Sequence, residues 1–266
     1  MKTTFDAPKF SVMLNDAVNN PGTLSKCYSA FHNYSFHNQL LAMFQCCERG
    51  LSLGPISTFN GWREKGYVVK KGQKALSLWM PWTKRTKNEE TGEESFKRLF
   101  FVKNLWFVFG QVQPLEGEKQ KDISAKISEW DKETALRILG ISEKPFEMLS
   151  GNCQGYAIGN SIAINPLAEF PHKTTFHEMA HVQLGHTKDG KKIVDGEVLD
   201  RNIMEVEAET TAYCLTSLFD LPGQEESRGY IQHWIKGKEI PEENAKRIFK
   251  VVNQIMDAGR EKKNAL

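Results

Sequence analysis

The sequence lacks the long apolar runs that membrane proteins and secreted precursors need. Its first ten residues, MKTTFDAPKF, contain no apolar segment of signal-peptide length, and no stretch approaches the roughly 18–20 apolar residues that span a bilayer. The longest apolar cluster, Leu99 to Phe109, is interrupted by Lys103 and Asn104 and is typical of a buried strand. We therefore expect the chain to stay in the cytoplasm and to have no membrane partner.

Cysteine is also scarce. The chain has five cysteines, and no two of them show the C-x-x-C spacing of a redox or zinc-knuckle site. An odd number without such pairs argues against a disulfide framework. We therefore expect a reducing compartment, and we expect the adjacent Cys46 and Cys47, which lie in an apolar helical pattern, to be small buried hydrophobic residues.

Acidic residues are sparse in the first part of the chain. Residues 1–115 carry fifteen Lys and Arg against eight Asp and Glu, a net charge of +7, and the remaining residues carry −5 of the overall +2. Between Gly66 and Arg85 there is no acid at all. A basic front and an acidic back suggest that the front half binds a polyanion.

Two regions of different pattern predict an α+β fold with two domains. Apolar residues recur at helical spacing through residues 8–50, and aromatic-rich runs separated by glycine turns follow in residues 55–110. Within the second run, Thr83–Lys97 is predicted to be a mobile hairpin loop. Because the polar residues that follow lack large apolar clusters, we expect domains at 1–115 and 129–266, joined by a linker at 116–128.

The second domain is predicted to combine a small antiparallel sheet with helices. Gly155 to Pro166 has the pattern of a hairpin with Gly-Asn at its turn. Helices are predicted over Lys173–Leu184 and over Asn202–Phe219.

A metal-binding motif lies on the first of these helices. His177, Glu178 and His181 form H-E-x-x-H, and positions i and i+4 of a helix share one face, so both imidazoles can hold one metal ion. Imidazole suits Zn²⁺, which keeps one coordination position open for water in catalytic sites. The sequence therefore predicts a zinc metallopeptidase in which Glu178 is the catalytic base for that water.

The third metal ligand is expected on the second helix. Glu205 and Glu209 are four residues apart and share a face, whereas Glu207 is rotated by about 160–200° from both and is expected to face solvent. One carboxylate can bind zinc and the other can accept the N–H of a ligand histidine. The residues alone leave the two roles open; by analogy with the order of residues in gluzincins, Glu205 is the ligand and Glu209 the supporting acceptor.

Two further features of the site are predicted, an oxyanion-stabilising residue and a strand that binds the substrate. His186 lies nine positions after His177, which does not match the metzincin spacing for a third histidine ligand. Tyr213 or His186 can instead stabilise an oxyanion. The strand Ser161–Asn165 precedes the motif helix and is expected to be an edge strand that holds an extended peptide substrate.

These motifs resemble two known groups of proteins. H-E-x-x-H-x-x-x-G-H followed by E-x-x-A-E-x-x-A, here from His177 to Ala212, resembles ImmA/IrrE-type metallopeptidases. The first half resembles the N-terminal single-stranded-DNA-binding domain of ArdC-type antirestriction proteins. The residues that carry this resemblance include Asn38-Gln-Leu-Leu, Val69-Lys-Lys-Gly-Gln-Lys74 and Trp106-Phe-Val-Phe109. It implies a single-stranded-DNA-binding domain followed by a zincin-like domain, and protection of mobile-element DNA from restriction.

The residues of the first half agree with such a partner. Single-stranded DNA binding needs cations for phosphates and flat rings for stacking, and no pattern here suggests base-specific readout. The predicted DNA-binding residues are Tyr67, Lys70, Lys71, Lys74, Trp79, Trp82, Lys84 and Arg85.

Three functions remain open from the sequence. The first is a DNA-associated zinc metallopeptidase with a protein or peptide substrate, in antirestriction or in the repair of DNA–protein crosslinks. The second is a non-catalytic single-stranded-DNA-binding antirestriction protein with a structural zinc site. The third is a peptidase that cleaves a repressor, as ImmA/IrrE relatives do.

Overall fold

The computed structural model describes residues 6–87, 94–123, 127, 129–147, 153–194, 203–235 and 238–260. Within them the fold class is α+β, as predicted, with helices and three small sheets. The chain divides into two compact units. The described helices include none that is both long and apolar enough to cross a membrane.

Unit 1 comprises Met1–Ala7, Ser29–Tyr34 and Asn38–Ala125. The helical region consists of α1 (Phe10–Asn19), α2 (Thr23–Phe31) and α3 (Phe36–Glu48). Unit 1 takes the end of α2 and all of α3 except its first two residues. The strands and the short helix that follow are β1 (Ile56–Thr58), α4 (Phe59–Arg63), β2 (Tyr67–Val69), β3 (Leu76–Lys87), β4 (Glu94–Val108) and β5 (Val112–Pro114). They form an antiparallel sheet in the order β1-β4-β3 and the antiparallel pair β2-β5.

Two amide side chains of α3 hold the outer edge of β3. Asn38 bonds the Trp79 backbone with both its amide nitrogen and its oxygen, at 2.9 Å each. Gln45 does the same for Ser77, at 2.8 Å each. Because an edge strand otherwise presents unpaired N–H and C=O groups, these amides take the place of a neighbouring strand.

The hairpin β3–β4 corrects two predictions. Thr83–Lys87 and the residues from Glu94 onward are paired strands rather than a loop, and residues 88–93 lie outside the described chain. Leu99–Phe109 contributes to a strand as predicted, but Phe100 is 55% and Leu105 45% exposed. The reason is that β1 pairs with β4 only at Trp106–Val108, so the rest of the hairpin extends past that strand.

Unit 2 comprises Pro8–Tyr28, Ser35–His37 and Lys126–Leu266. After α1 it contains α5 (Lys132–Leu139), β6 (Ser142–Glu143), β7 (Gly155–Ile158), β8 (Ser161–Ile164), α6 (Pro171–Leu184), β9 (Lys192–Val194), α7 (Ile203–Leu218), α8 (Gln224–Ile235) and α9 (Glu242–Ala258). The sheet order is β6-β8-β7-β9, antiparallel except for the parallel pair β6–β8. The predicted hairpin is β7–β8, and Gly159 at its turn has a φ of 54°.

Aromatic contacts explain why unit 2 includes early residues. Phe10 packs edge-on against Phe249 with ring centroids 5.0 Å apart, and Tyr28 packs on Phe219 at 5.3 Å. The predicted domain limits, 1–115 and 129–266, stay a prediction. The two compact units differ from them in that each unit contains part of the helical region at residues 8–50.

The position of β8 contradicts the prediction of an edge strand. The β6 segment adds beside β8, with Ser142 N–H donating to the Asn160 carbonyl at 2.9 Å and Lys144 N–H to the Ile162 carbonyl at 2.8 Å. These bonds leave β8 between β6 and β7, so the first residues of β8 are not open to a peptide.

Candidate metal centre

Helix α6 brings two histidines of the motif together. It begins at Pro171, whose fixed φ suits the first helical position, and ends at Gly185 with a φ of 78°. His177 and His181 are one turn apart and buried, and their Nε2 atoms are 3.0 Å from each other. Both side chains therefore aim the same ring nitrogen at one point.

Glu205 of α7 completes a group of three donors. Its Oε2 is 3.4 Å from His177 Nε2 and its Oε1 is 3.6 Å from His181 Nε2. The three ligand atoms lie within 4.8 Å of one another. Two imidazole nitrogens and one carboxylate oxygen are a donor set that fits a divalent cation with an open position for water. The side chain of Glu205 is 20% exposed and those of the histidines 6% and 0%, so the group opens to solvent beside Glu205.

The protonation states also fit a cation. Burial lowers the pKa of His181 to about 4, more than the nearby Glu205 carboxylate raises it, so the imidazole is neutral at neutral pH. Burial raises the pKa of Glu205, but the neighbouring rings of His177 and His181 outweigh it and hold that pKa well below its usual range. Neutral imidazoles and an ionised carboxylate are the forms that bind metals.

Glu209 lies behind His177. Its Oε2 is 2.9 Å from His177 Nδ1, and its Oε1 is 3.0 Å from Lys173 Nζ. Burial raises the pKa of Glu209, but the bond to His177 and the Lys173 charge outweigh burial and lower that pKa to about 2. The carboxylate therefore accepts the Nδ1 hydrogen of His177 and leaves Nε2 bare for a ligand.

The remaining motif residue, Glu178, is completely buried beside strand β7. A Cβ placed on Gly155 would lie 2.9 Å from Glu178 Oε1 and 2.8 Å from Thr174 Cγ2. Only a glycine lets the strand approach this carboxylate so closely.

The structure contradicts the prediction for Glu207. This side chain does lie away from Glu205 and Glu209, but it is fully buried rather than facing solvent. Its carboxylate contacts His186 Nε2 at 3.0 Å and Arg247 NH1 at 3.1 Å. The prediction was wrong because every residue of α7 from Val206 to Leu218 is buried, so this helix has no solvent face there.

Tyr213 and His186, the two residues predicted for an oxyanion role, contact other groups of the protein. The Tyr213 hydroxyl donates to the Ala17 carbonyl at 3.1 Å. His186 is buried, with Nδ1 3.0 Å from His181 Nδ1 and Nε2 on Glu207. Both polar ends are thus engaged within the protein.

The predicted DNA-binding residues of unit 1 form a partly buried set, Tyr67 and Trp79, and an exposed set, which contains Trp82 and the basic residues. Tyr67 packs against Trp62 and Phe109, and Trp79 is half-buried. Trp82 is 46% exposed on the β3–β4 hairpin. The exposed basic residues of the prediction are Lys70, Lys71, Lys74, Lys84 and Arg85.

Sequence reasoning missed the aromatic residues of β4. Phe101 is 37% exposed, stands 5.7 Å from Trp82 between ring centroids, and has Lys103 Nζ 5.6 Å from its ring. Phe100 and Phe96 are exposed on the other face. Alternation along β4 is the signal that could have found them.

Comparisons with known proteins give a family match for the first part of the chain and a likeness of fold for most of it. Residues 15–123 match the family model of the N-terminal domain of anti-restriction factor ArdC. The metal-free crystal structure of the antirestriction ArdC protein from the R388 plasmid is similar, with a TM-score of 0.51 and 17% identity over 94% of each chain. The Mn(II)-bound structure of that protein gives a TM-score of 0.48 and 18% identity over 96% of each chain. A search of curated proteins gives no significant match.

Proposed function

Since the chain carries the N-terminal domain of the ArdC family on residues 15–123 and shares the ArdC fold, we propose that it is an antirestriction protein with two activities, a zinc-dependent peptidase and single-stranded DNA binding. The observation that carries the peptidase is the convergence of His177 Nε2, His181 Nε2 and the Glu205 carboxylate, with the buried Glu178 next to His177 in the sequence. A surface pair of histidines would need neither the buried carboxylate nor Glu209 behind the first ligand.

The proposed reaction is the hydrolysis of a peptide bond. A bound Zn²⁺ would lower the pKa of a water molecule and polarise the scissile carbonyl. Glu178 takes a proton from the attacking water and delivers it to the leaving amine, so that a C–O bond forms as the C–N bond breaks. His177, His181 and Glu205 would hold the ion, and Glu209 would keep His177 oriented.

Metal content tests the site directly. We expect elemental analysis of the purified protein to find about one zinc per chain, and His181→Ala to lose it. Loading with Zn²⁺ and Mn²⁺ in competition identifies the preferred ion, since imidazole nitrogens favour zinc and carboxylates accept either. No uptake of either ion by the unsubstituted protein would overturn the metal centre.

Glu178→Gln separates a catalytic site from a structural one. The variant should keep its metal and lose hydrolysis of protein substrates, because glutamine cannot accept the water proton. The control is His172→Gln, on the same helix and five residues before His177. If Glu178→Gln still protected transferred DNA from restriction, the non-catalytic antirestriction protein would replace the peptidase as the explanation of that protection. Cleavage of a repressor without DNA would favour the ImmA/IrrE-like role.

Single-stranded DNA binding is proposed for the β3–β4 hairpin. Trp82, Phe101 and Lys103 form one exposed face that offers rings for stacking and a cation for phosphate. Stacking on one ring is worth about 1–3 kcal/mol, so Trp82→Ala and Phe101→Ala should each weaken binding by roughly 5- to 150-fold. Fluorescence anisotropy with a labelled oligonucleotide measures this. Phe59→Ala, an exposed aromatic of the same unit, is the matched control, and an equal loss there would refute the assignment.

A further inference from the structure

A line of buried polar groups runs away from the second ligand histidine. His181 Nδ1 is 3.0 Å from His186 Nδ1, and His186 Nε2 is 3.0 Å from Glu207 Oε2. The other oxygen of Glu207, Oε1, accepts a hydrogen bond from Asn244 Nδ2 at 2.9 Å and forms an ion pair with Arg247 NH1 at 3.1 Å. His181, His186 and Glu207 are all buried, and no step of the proposed hydrolysis uses the last two.

The hydrogens of this line can be placed from its far end. Arginine only donates, so Arg247 fixes Glu207 as an acceptor. Asn244 Nδ2 and the permanently charged Arg247 guanidinium both donate to Oε1 of Glu207, so the carboxylate is ionised. An ionised carboxylate cannot donate to His186 Nε2. The hydrogen of that contact must therefore sit on His186 Nε2.

The same logic continues to the metal ligand. When a histidine carries a single ring hydrogen and that hydrogen sits on Nε2, as placed here for His186, its Nδ1 is bare. Only one hydrogen fits between two ring nitrogens 3.0 Å apart, and His181 must supply it from its own Nδ1. His181 is then left with a bare Nε2. His177 Nε2 is bare as well, so two lone pairs lie 3.0 Å apart beside the Glu205 carboxylate, an arrangement that a cation between them would stabilise.

We propose that His186 and Glu207 are positioning residues that fix the tautomer and ring orientation of His181 for metal binding. This inference rests on the proposed metal centre. The two ligand histidines are then oriented in different ways. His177 donates directly to the Glu209 carboxylate, whereas His181 donates to His186, which in turn donates to the Glu207 carboxylate. The intermediary is needed because Glu207 lies on the opposite face of α7 from Glu205 and Glu209, and His186 follows the turn at Gly185 that ends α6.

Glu207→Gln should reverse the hydrogens of the line. The glutamine oxygen is drawn to Arg247, which only donates, so the amide N–H₂ faces His186 Nε2. That nitrogen then has to accept, and the hydrogen of His186 moves to Nδ1. His181 Nδ1 becomes the acceptor, and its hydrogen moves to Nε2, where it blocks the metal. Binding a metal then requires breaking one of these contacts.

The test combines histidine tautomers with metal affinity. In the metal-free protein, ¹⁵N-histidine NMR should find His181 protonated on Nδ1 and His186 on Nε2, and both should reverse in Glu207→Gln. Competition with a chelator should show a loss of Zn²⁺ affinity of about 10- to 100-fold in that variant, the range usual for groups behind a metal ligand. Glu243→Gln, which removes the same charge from an exposed side chain of α9, should change neither quantity.

A second pair of variants does not depend on the folding of Glu207→Gln. His186→Asn keeps an amide oxygen that can accept from His181 Nδ1, so its Zn²⁺ affinity should stay within a few-fold of the unsubstituted protein. His186→Leu removes the acceptor and should lose about 10- to 100-fold. Rescue by asparagine over leucine is not expected if His186 serves only to fill space.

The outcomes separate this inference from the proposed function. Unchanged tautomers and unchanged affinity in Glu207→Gln, or equal affinities in His186→Asn and His186→Leu, would overturn the positioning role. If the unsubstituted protein showed the expected tautomers but took up no metal, the metal centre would fail while the hydrogen-bond assignment of His181, His186 and Glu207 stood.

Discussion

Replacing Gly155 by alanine tests how closely strand β7 approaches Glu178. The added methyl carbon would lie 2.8 Å from Thr174 Cγ2, 2.9 Å from Glu178 Oε1 and 3.1 Å from the Ala163 carbonyl oxygen. All three distances are shorter than an ordinary van der Waals contact. The Ala163 oxygen belongs to the backbone of the paired strand β8 and cannot move cheaply, so the strain falls on the other two side chains.

The expected cost follows from this crowding. Inserting one methyl group into a packed interior destabilises by about 1–3 kcal/mol, and three simultaneous contacts place Gly155→Ala in the upper half of that range. None of the three proposed metal ligands is altered, so Zn²⁺ affinity should stay within a few-fold. The proposed hydrolysis should fall, because the methyl group displaces the Glu178 carboxylate. Denaturant unfolding and chelator competition measure the first two effects.

A double-mutant cycle assigns the strain to a particular atom. Thr174→Ser removes Cγ2, so in the Gly155→Ala background it should recover about 1 kcal/mol relative to its effect alone. Gly229→Ala is the control, because its added methyl group meets nothing within 4 Å on helix α8, and it should stabilise by roughly 0.5–1 kcal/mol. If Gly155→Ala were as stable as the unsubstituted protein, the close approach of β7 to Glu178 would be refuted.

Three further predictions concern stability. Burial lowers the pKa of His37 to about 4. Because the unfolded chain takes up the proton near pH 6.5, the free energy of unfolding should fall by up to about 3 kcal/mol from pH 7 to pH 4. In urea unfolding, His37→Gln should abolish the part of this pH dependence that comes from His37. Glu242 accepts two backbone N–H groups at the start of α1, and its pKa is lowered although burial raises it. Glu242→Gln should therefore cost about 1–2 kcal/mol at pH 7, and the difference should vanish as the pH falls well below 4, where the carboxylate is protonated. Gln45→Ala removes both bonds to the Ser77 backbone and should cost about 2–3 kcal/mol in the same assay, whereas a change within 0.5 kcal/mol would contradict the role of this amide at the sheet edge.

Local patterns were sufficient to predict several elements of the fold. The Gly-Asn turn specifies the hairpin β7–β8, because a left-handed residue at its start suits Gly159. Helix α6 is specified by helical periodicity and by Gly185 at its end. The β3–β4 hairpin was missed in part because its charged residues hide the alternation of period two, and only the pairing of Thr83–Lys87 with β4 makes a strand of them.

The inclusion of early helical residues in unit 2 could not be predicted. It depends on contacts such as that of Phe10 with Phe249, which are more than two hundred residues apart in the sequence. A helical pattern predicts that Phe10 belongs to an apolar face, but it does not identify the partner of that face. Such pairings arise from packing over the whole unit rather than from any local signal.

In the candidate site, helical geometry alone brought Glu205 and Glu209 to one side of α7. It could not rank them, because which carboxylate meets the ring nitrogens depends on how far α7 is shifted along α6. Glu205 lies beside both Nε2 atoms, and Glu209 lies one turn further on, beside His177 Nδ1 and Lys173. That shift is set by the packing of the two helices, and no spacing within either helix contains it.

The error over Glu207 shows which assumption failed. Its rotation from Glu205 and Glu209 was right, and the inference that the opposite face of α7 meets water was wrong. The residues that follow Glu209 are small, apolar or hydroxyl-bearing all round the helix, which is typical of a helix buried on every side. On such a helix a carboxylate at any angle must find buried partners, because an unpaired buried charge is costly. Glu207 and Glu209 can therefore accept hydrogen bonds from the two histidine systems on opposite faces of α7. For this reason the measurement of the His181 tautomer tests the burial of α7 as well as the hydrogen bonds of Glu207.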